Sequence, residues 1–183
     1  MYDKKKWQWI CPDTGNIYNL KHTQEFETSY GVKMEKGEPA TDIACRVIFS
    51  NHCFTRSRNS EDLDSHVMVR ESKRGGNVEE RVFCPARWDF SQQLPEIIRD
   101  LTYRNCLIGG SREIIYRQES RSGFKEQQGW YICMRLNFKS KRDPQLELWV
   151  RSVHWRRNRP FDVRGHGGKR FCMILSEYLR KRL

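Results

Sequence analysis

The sequence predicts an α+β fold: a mostly antiparallel sheet with two amphipathic helices packed on it, plus an N-terminal β-hairpin extension. Three observations predict it. Apolar residues alternate with period two in residues 43–49, 130–138 and 146–150, which is the repeat of a half-buried strand. Leu94, Ile97, Ile98 and Leu101, and later Phe171, Ile174, Leu175, Tyr178 and Leu179, repeat with the helical period instead. The order is strands then helix, strands then helix, which suits helices laid on one sheet rather than a regular βαβ alternation.

Taken in order, residues 7–20 read as two short extended runs around Pro12-Asp13-Thr14-Gly15, where Pro presets a turn and Gly accepts positive φ. Residues 21–41 are charged and weakly patterned, so residues 1–41 form a hairpin and connector ahead of the main body at 42–183. Ile43, Cys45, Val47 and Phe49 then make a strand. Shorter strands are expected at 66–70 and 81–84, separated by polar loops at 55–65 and 71–80. A helix follows over Leu94 to Leu101, with Ser91 placed to cap it and Pro95 tolerated in its first turn. Residues 112–117 make another short strand. Trp130, Ile132, Met134, Leu136 and Phe138, then Leu146, Leu148 and Val150 beyond a polar turn, form an antiparallel hairpin. Gly165 to Arg170 reads as a flexible loop opening the last helix, which ends in Arg180, Lys181 and Arg182, where cations suit the helix dipole.

At 183 residues and 22.0 kDa the chain fits one ordinary core. Aromatic residues make up 12%, too many for a disordered chain, and no apolar stretch is long enough to cross a membrane. Seven cysteines without a C-x-x-C pair argue against a structural zinc site and for buried thiols at Cys45, Cys84 and Cys133. Free thiols point to a reducing, cytoplasmic location.

The net charge is +11, and its distribution is uneven. Residues 1–50 balance at seven basic and seven acidic, whereas residues 151–183 hold ten basic against two acidic. Most of these are arginines, whose planar forks match phosphate. A polyanion, RNA or another nucleic acid, is therefore the expected partner. Arg151, Trp155, Arg156, Arg157, Arg159, Lys169 and Arg170 are the candidate contacts, combining phosphate forks with a ring on which a base can stack.

Catalytic signatures that would name a reaction are missing: the sequence has no H-E-x-x-H, G-x-S-x-G, G-x-G-x-x-G or Walker loop. No metal and no cofactor are called for. What remains for an enzyme is metal-independent chemistry on a phosphodiester, which His, Arg and Lys can supply. His52 stands where the first alternating strand stops, and a capping or turn histidine is the plainer reading of it. Ser152 and His154 continue the face of Leu146, Leu148 and Val150, leaving Trp149, Arg151 and Trp155 out of phase. Arg81 and Arg87 lie among apolar residues, where a charge needs either an internal ion pair or a substrate phosphate.

The runs CRVIFSNHCFT, RVFCPARWDFSQQLPEIIRDL, GWYICMRLNF with LELWVRSVHWR, and KRFCMILSEYL resemble a bacterial family of small α+β proteins akin to the RelE-like and colicin D-like nuclease toxins. The resemblance covers roughly residues 43–182. It implies a metal-free RNA endonuclease with His52, Arg81, Arg87, Ser152, His154 and Arg156 at its site, restrained by an antitoxin or other acidic protein. Two alternatives stand beside it: a non-catalytic nucleic-acid-binding module, and an interaction factor of phage or mobile-element origin that docks on an acidic partner.

Overall fold

The long alternating segments form the middle of a seven-stranded sheet, seen in a computed structural model that describes residues 2–3, 5–35, 37–73, 75–109, 113–119, 128–139, 145–158 and 164–181. The chain begins with a three-stranded meander of β1 (Tyr2–Asp3), β2 (Gln8–Ile10) and β3 (Ile17–Asn19). Then come β4 (Phe26–Val32), β5 (Thr41–Phe49), β6 (Thr55–Ser57), β7 (Val67–Ser72) and β8 (Val78–Phe83). Two short helices follow, α1 (Pro85–Ser91) and α2 (Leu94–Arg99). The remainder is β9 (Asn105–Ile108), β10 (Ile114–Glu119), β11 (Gly129–Phe138), β12 (Leu146–Arg156), β13 (Arg164–Arg170) and α3 (Phe171–Arg180).

The large sheet runs β13-β9-β10-β11-β12-β5-β4, and β6-β8-β7 form a separate three-stranded sheet. Strands β12 and β5 pair in parallel, while the other pairs of the large sheet are antiparallel. Helix α3 packs on both β4 and β13, the two ends of that strand order, so the sheet curls around it. Ser176 of α3 donates to the Lys33 carbonyl just beyond β4, and Phe171 N–H donates to the Arg104 carbonyl just before β9. The core between them is continuous, from Tyr30 and Val47 through Met134 and Leu148 to Phe171 and Leu175. Trp9 of the meander joins it, stacked on Phe83 with ring centroids 4.3 Å apart.

Several expectations are corrected here. The helix expected over Leu94 to Leu101 is α2, which stops at Arg99 and gives way to a 3₁₀ turn at Leu101–Tyr103, and α1 ahead of it was not expected. Ser91 closes α1 rather than capping the next helix, because its hydroxyl donates back to the Trp88 carbonyl and accepts from His22 Nε2. The Gly165 to Arg170 segment is strand β13, not a loop. Its Gly168 lies with Cβ space 3.2 Å from Asn105 Cβ, a close approach of two backbones that a larger residue would crowd. Residues 21–41 contribute β4 to the large sheet. The polar stretches at 55–65 and 71–80 hold β6, the end of β7 and the start of β8. Of Cys45, Cys84 and Cys133 only Cys45 is buried; all seven thiols are free.

The face expected for β12 also changes. A bulge between Cys133 and Met134 makes Val150 pair with Met134 but Ser152 pair with Cys133, leaving Arg151 as the extra residue. Beyond it Val153 and Trp155, not Ser152 and His154, pair with the inward Ile132 and Trp130. One inserted residue reverses the phase of a strand, so alternation extrapolated from residues 146–150 fails after the bulge. No described helix is long and apolar enough to cross a membrane.

Candidate functional site

Where β5 ends, Ser50 N–H bonds the Val150 carbonyl and the chain enters a 3₁₀ turn at Asn51–Cys53. Ser50 Oγ caps that turn by accepting from His52 N–H, and the Cys53 thiol reaches the same Val150 carbonyl. The turn is thus pinned against β12 at its bulge. Strand β6 starts two residues later, and α1 packs on the turn and on β12. This junction brings together His52, Arg81, Arg87, Ser152 and His154, all of the candidate catalytic residues.

Thr55 is fully buried at the centre. Its hydroxyl donates to the Asn51 carbonyl and accepts from Arg81 Nε, and its carbonyl accepts from both Arg81 Nη2 (3.1 Å) and Arg87 Nη1 (2.6 Å). Arg81 is 3% exposed, and its remaining nitrogen pairs with Glu79 at 2.7 Å. It is a compensated, enclosed cation that shapes the junction. Arg87 differs. Its Nη1 also bonds the His52 carbonyl, and Nη2 lies 3.0 Å from His154 Nδ1. Among the described residues it has no carboxylate partner, and burial lowers its pKa.

This arrangement fixes the tautomer of His154. A guanidinium can only donate, so Nδ1 accepts and the ring hydrogen sits on Nε2, which donates to Ser152 Oγ at 2.9 Å. Burial, assisted by the nearby charges of Arg87 and Arg156, pulls the His154 pKa down to about 4, so the ring is neutral near pH 7. His154 therefore cannot act as a base towards Ser152. It passes the polarisation of Arg87 on to a hydroxyl whose own hydrogen is left to donate elsewhere.

His52 is half-buried and carries a different pairing: its Nε2 lies 3.0 Å from Glu71 Oε2 on β7. Burial pushes the Glu71 carboxyl up, but hydrogen bonds from His52 and Asn51 outweigh it and hold it below its usual range. An ionised carboxylate accepts, so Nε2 carries the hydrogen and Nδ1 is the basic nitrogen. Asn51 Nδ2 donates to Glu71 Oε1 at 2.6 Å, which leaves Asn51 Oδ1 buried without a partner. Glu71 was missed because it lies in a stretch read as polar loop, and Asn51 and Thr55 because only His52 stood out by residue type in the run that follows the first alternating strand.

The basic candidates divide. Arg156 and Arg157 are exposed at the end of β12 beside this junction. Trp155 is 41% exposed, with its ring edge-to-face against Trp130 at 6.0 Å. Arg151, the bulge residue, pairs with Glu113. Lys169 pairs with Glu177, and Arg170 is exposed just before α3. Both belong to β13, which β9, β10 and β11 separate from β12 in the sheet order. The backbone pairs with β9 there and Phe171 N–H is already bonded to the Arg104 carbonyl, so Lys169 and Arg170 sit on a paired strand and not on a flexible loop. Arg159 lies outside the described residues. Among the described residues no group of three His, Cys, Asp or Glu side chains is placed to hold a metal ion.

The model of the YjaZ family matches residues 8–179. The chain belongs to the YjaZ family. That match takes in the meander from β2 onward as well as both sheets and α3. No curated protein and no solved structure matches this YjaZ-family chain.

Proposed function

We propose that this YjaZ-family protein binds RNA at the His52–Arg87–His154 junction and cleaves it by attack of a ribose 2′-hydroxyl, without help from a metal. One observation carries the reading: Arg87, a partly buried guanidinium whose partners among the described residues are two carbonyls and a neutral imidazole, stands beside a solvent-reaching His52–Glu71 pair. A cation held without a counter-ion favours an incoming phosphate, which supplies the missing charge.

The chemistry assigned to these groups balances. His52 Nδ1 takes the 2′-hydroxyl proton, and Glu71 steadies the imidazolium that results. The 2′-oxygen forms a bond to phosphorus as the bond to the 5′-oxygen breaks, and that oxygen takes a proton from water. Arg87 and the Ser152 hydroxyl stabilise charge on the non-bridging oxygens. The products are a 2′,3′-cyclic phosphate and a 5′-hydroxyl end. Arg156, Arg157 and Trp155 flank the site and hold neighbouring nucleotides. The sequence resemblance to RelE-like and colicin D-like toxins points the same way, and on that resemblance an acidic protein would restrain the activity.

The test is incubation of the purified protein with total RNA in the presence of a chelator, with ends mapped after electrophoresis. Discrete cuts ending in cyclic phosphate are expected from the native protein. His52→Ala should lose them while still binding RNA. Intact RNA with the native protein would overturn the nuclease reading. Salt-dependent RNA binding would then favour the non-catalytic module, for which the exposed Trp155 beside Arg156 and Arg157 is the specific support.

A further inference from the structure

A cavity of about 480 Å³ opens in the N-terminal meander. Its volume lies in the range of small-molecule sites, about 300–1,000 Å³. Lys5, Lys6 and Lys21 line it together with Trp7, Gln8 and Asn19, and no described lining residue is acidic. Lys6 has Asp3 3.9 Å away; Lys5 and Lys21 have no carboxylate within ion-pair distance among the described residues. Both are exposed.

The backbone beneath is unusual. Trp7 has φ +52°, the only non-glycine residue with positive φ among those described. Bulky side chains rarely adopt that conformation, and such residues concentrate at ligand clamps. It is held in place because Leu20 N–H donates to the Trp7 carbonyl at 2.7 Å. Trp9, two residues on, is buried in the core, and half-buried Trp7 packs against that core while also lining the cavity.

We infer that this cavity binds a nucleoside 5′-phosphate, free or at the end of an RNA strand. The lysines hold the phosphate, the indole of Trp7 offers a face to the base and the carboxamide of Gln8 meets its edge, while Asn19 Oδ1 accepts from Lys21 N–H at 2.8 Å and fixes the place of that lysine. Carboxamides pair best with adenine, which makes AMP the probe. The site uses none of the groups of the β5–α1–β12 junction, so it stands whether or not that junction cleaves RNA.

Calorimetric titration of the full chain with AMP, adenosine and inorganic phosphate tests it. AMP should bind at one site per chain and at least about tenfold more tightly than either fragment. Lys21→Gln and Lys5→Gln, both on the surface and neutral to folding, should each weaken AMP by about tenfold. Trp7→Phe, which keeps an aromatic face, should weaken it less. Discrete RNA cuts by the native protein with no binding of AMP would overturn this inference and leave the cleavage reading standing, which separates the two failures. A 5′-phosphorylated tetranucleotide that binds as well as AMP assigns the site to strand ends, and binding of AMP alone assigns it to free nucleotides. No saturable binding of AMP, affinity for phosphate equal to that for AMP, or AMP binding insensitive to both lysine changes would each overturn the inference.

Discussion

Arg81 and Arg87 share one acceptor, the Thr55 carbonyl, yet they sit in opposite electrostatic settings. Arg81 belongs to the network of the small sheet, where cations and carboxylates are matched: Arg81 and Lys73 with Glu79, Arg58 and Arg70 with Glu80, Arg56 in a two-pronged bond with Asp62. Asp62 and Glu79 both have pKa values pulled down to about 2, by hydrogen bonds from Arg56 and from Lys73 respectively. A few ångströms away, the partners of Arg87 among the described residues are carbonyls and an imidazole. The contrast teaches that the charge left over at the junction is no shortage of acids nearby. They are committed elsewhere, on the small sheet, whose pairing supports β7 and hence Glu71.

Removing the matched arginine should therefore cost the most stability. Arg81→Met removes an enclosed cation from Glu79 and from both oxygens of Thr55; Glu79 keeps Lys73 and the Thr55 carbonyl keeps Arg87, so the lost charged hydrogen bonds should cost about 3 kcal/mol. Equilibrium urea unfolding reads this directly. A cost below that of Arg87→Met would break the comparison.

The next effect is on pH. In the unfolded chain His154 takes its proton near 6.5, in the fold only near 4. Between those values the unfolded state binds more protons, so stability is complete above pH 6.5 and falls as pH drops towards 4, by up to about 3 kcal/mol. His154→Gln should flatten urea midpoints across that window. Asp62 and Glu79 lose their contribution only lower, as pH falls below about 4, so the two regions titrate apart.

Arg87→Met should lower RNA cleavage by about 100-fold, the size of a lost oxyanion donor, close to 3 kcal/mol in the barrier. Its effect on unfolding should be smaller than that of Arg81→Met, because the change removes an uncompensated charge while freeing two carbonyls. Unimpaired cleavage would show that the cation is structural. Smallest of all, Arg70→Ala on the exposed rim of the network should shift stability by less than about 1 kcal/mol.

The chemistry of the junction was legible in the sequence where residue type alone narrows the options. His52, Arg81, Arg87, Ser152 and His154 are separated by up to about a hundred positions; each was singled out by residue type and strand position, and the fold sets the five side by side. The β11–β12 pairing was legible too, since alternation over ten residues allows little else. The rest was hidden for identifiable reasons. The bulge at Cys133/Met134 has no signature in composition, yet it decides that His154 leaves the core face. Strand β13, written RGHGGKR, has no apolar period because glycine packs by backbone approach rather than by side chain. Glu71 lies in a run of polar residues whose strand character comes from pairing with Glu79 across β8, a contact that no local pattern announces.

The way α3 bridges the two ends of the sheet order has a kinetic consequence. Ser176 reaches Lys33 across 143 residues, and the parallel β5–β12 pair joins segments about a hundred residues apart. Loops of that length must close before these contacts give anything back, so folding should be slow for a chain of this size. On the ribosome, β4 and β5 emerge long before β12 and α3 exist to cover them. Until then their edges and Tyr30 are open to other chains, and a chaperone that shields extended apolar segments would act on this nascent protein during that interval.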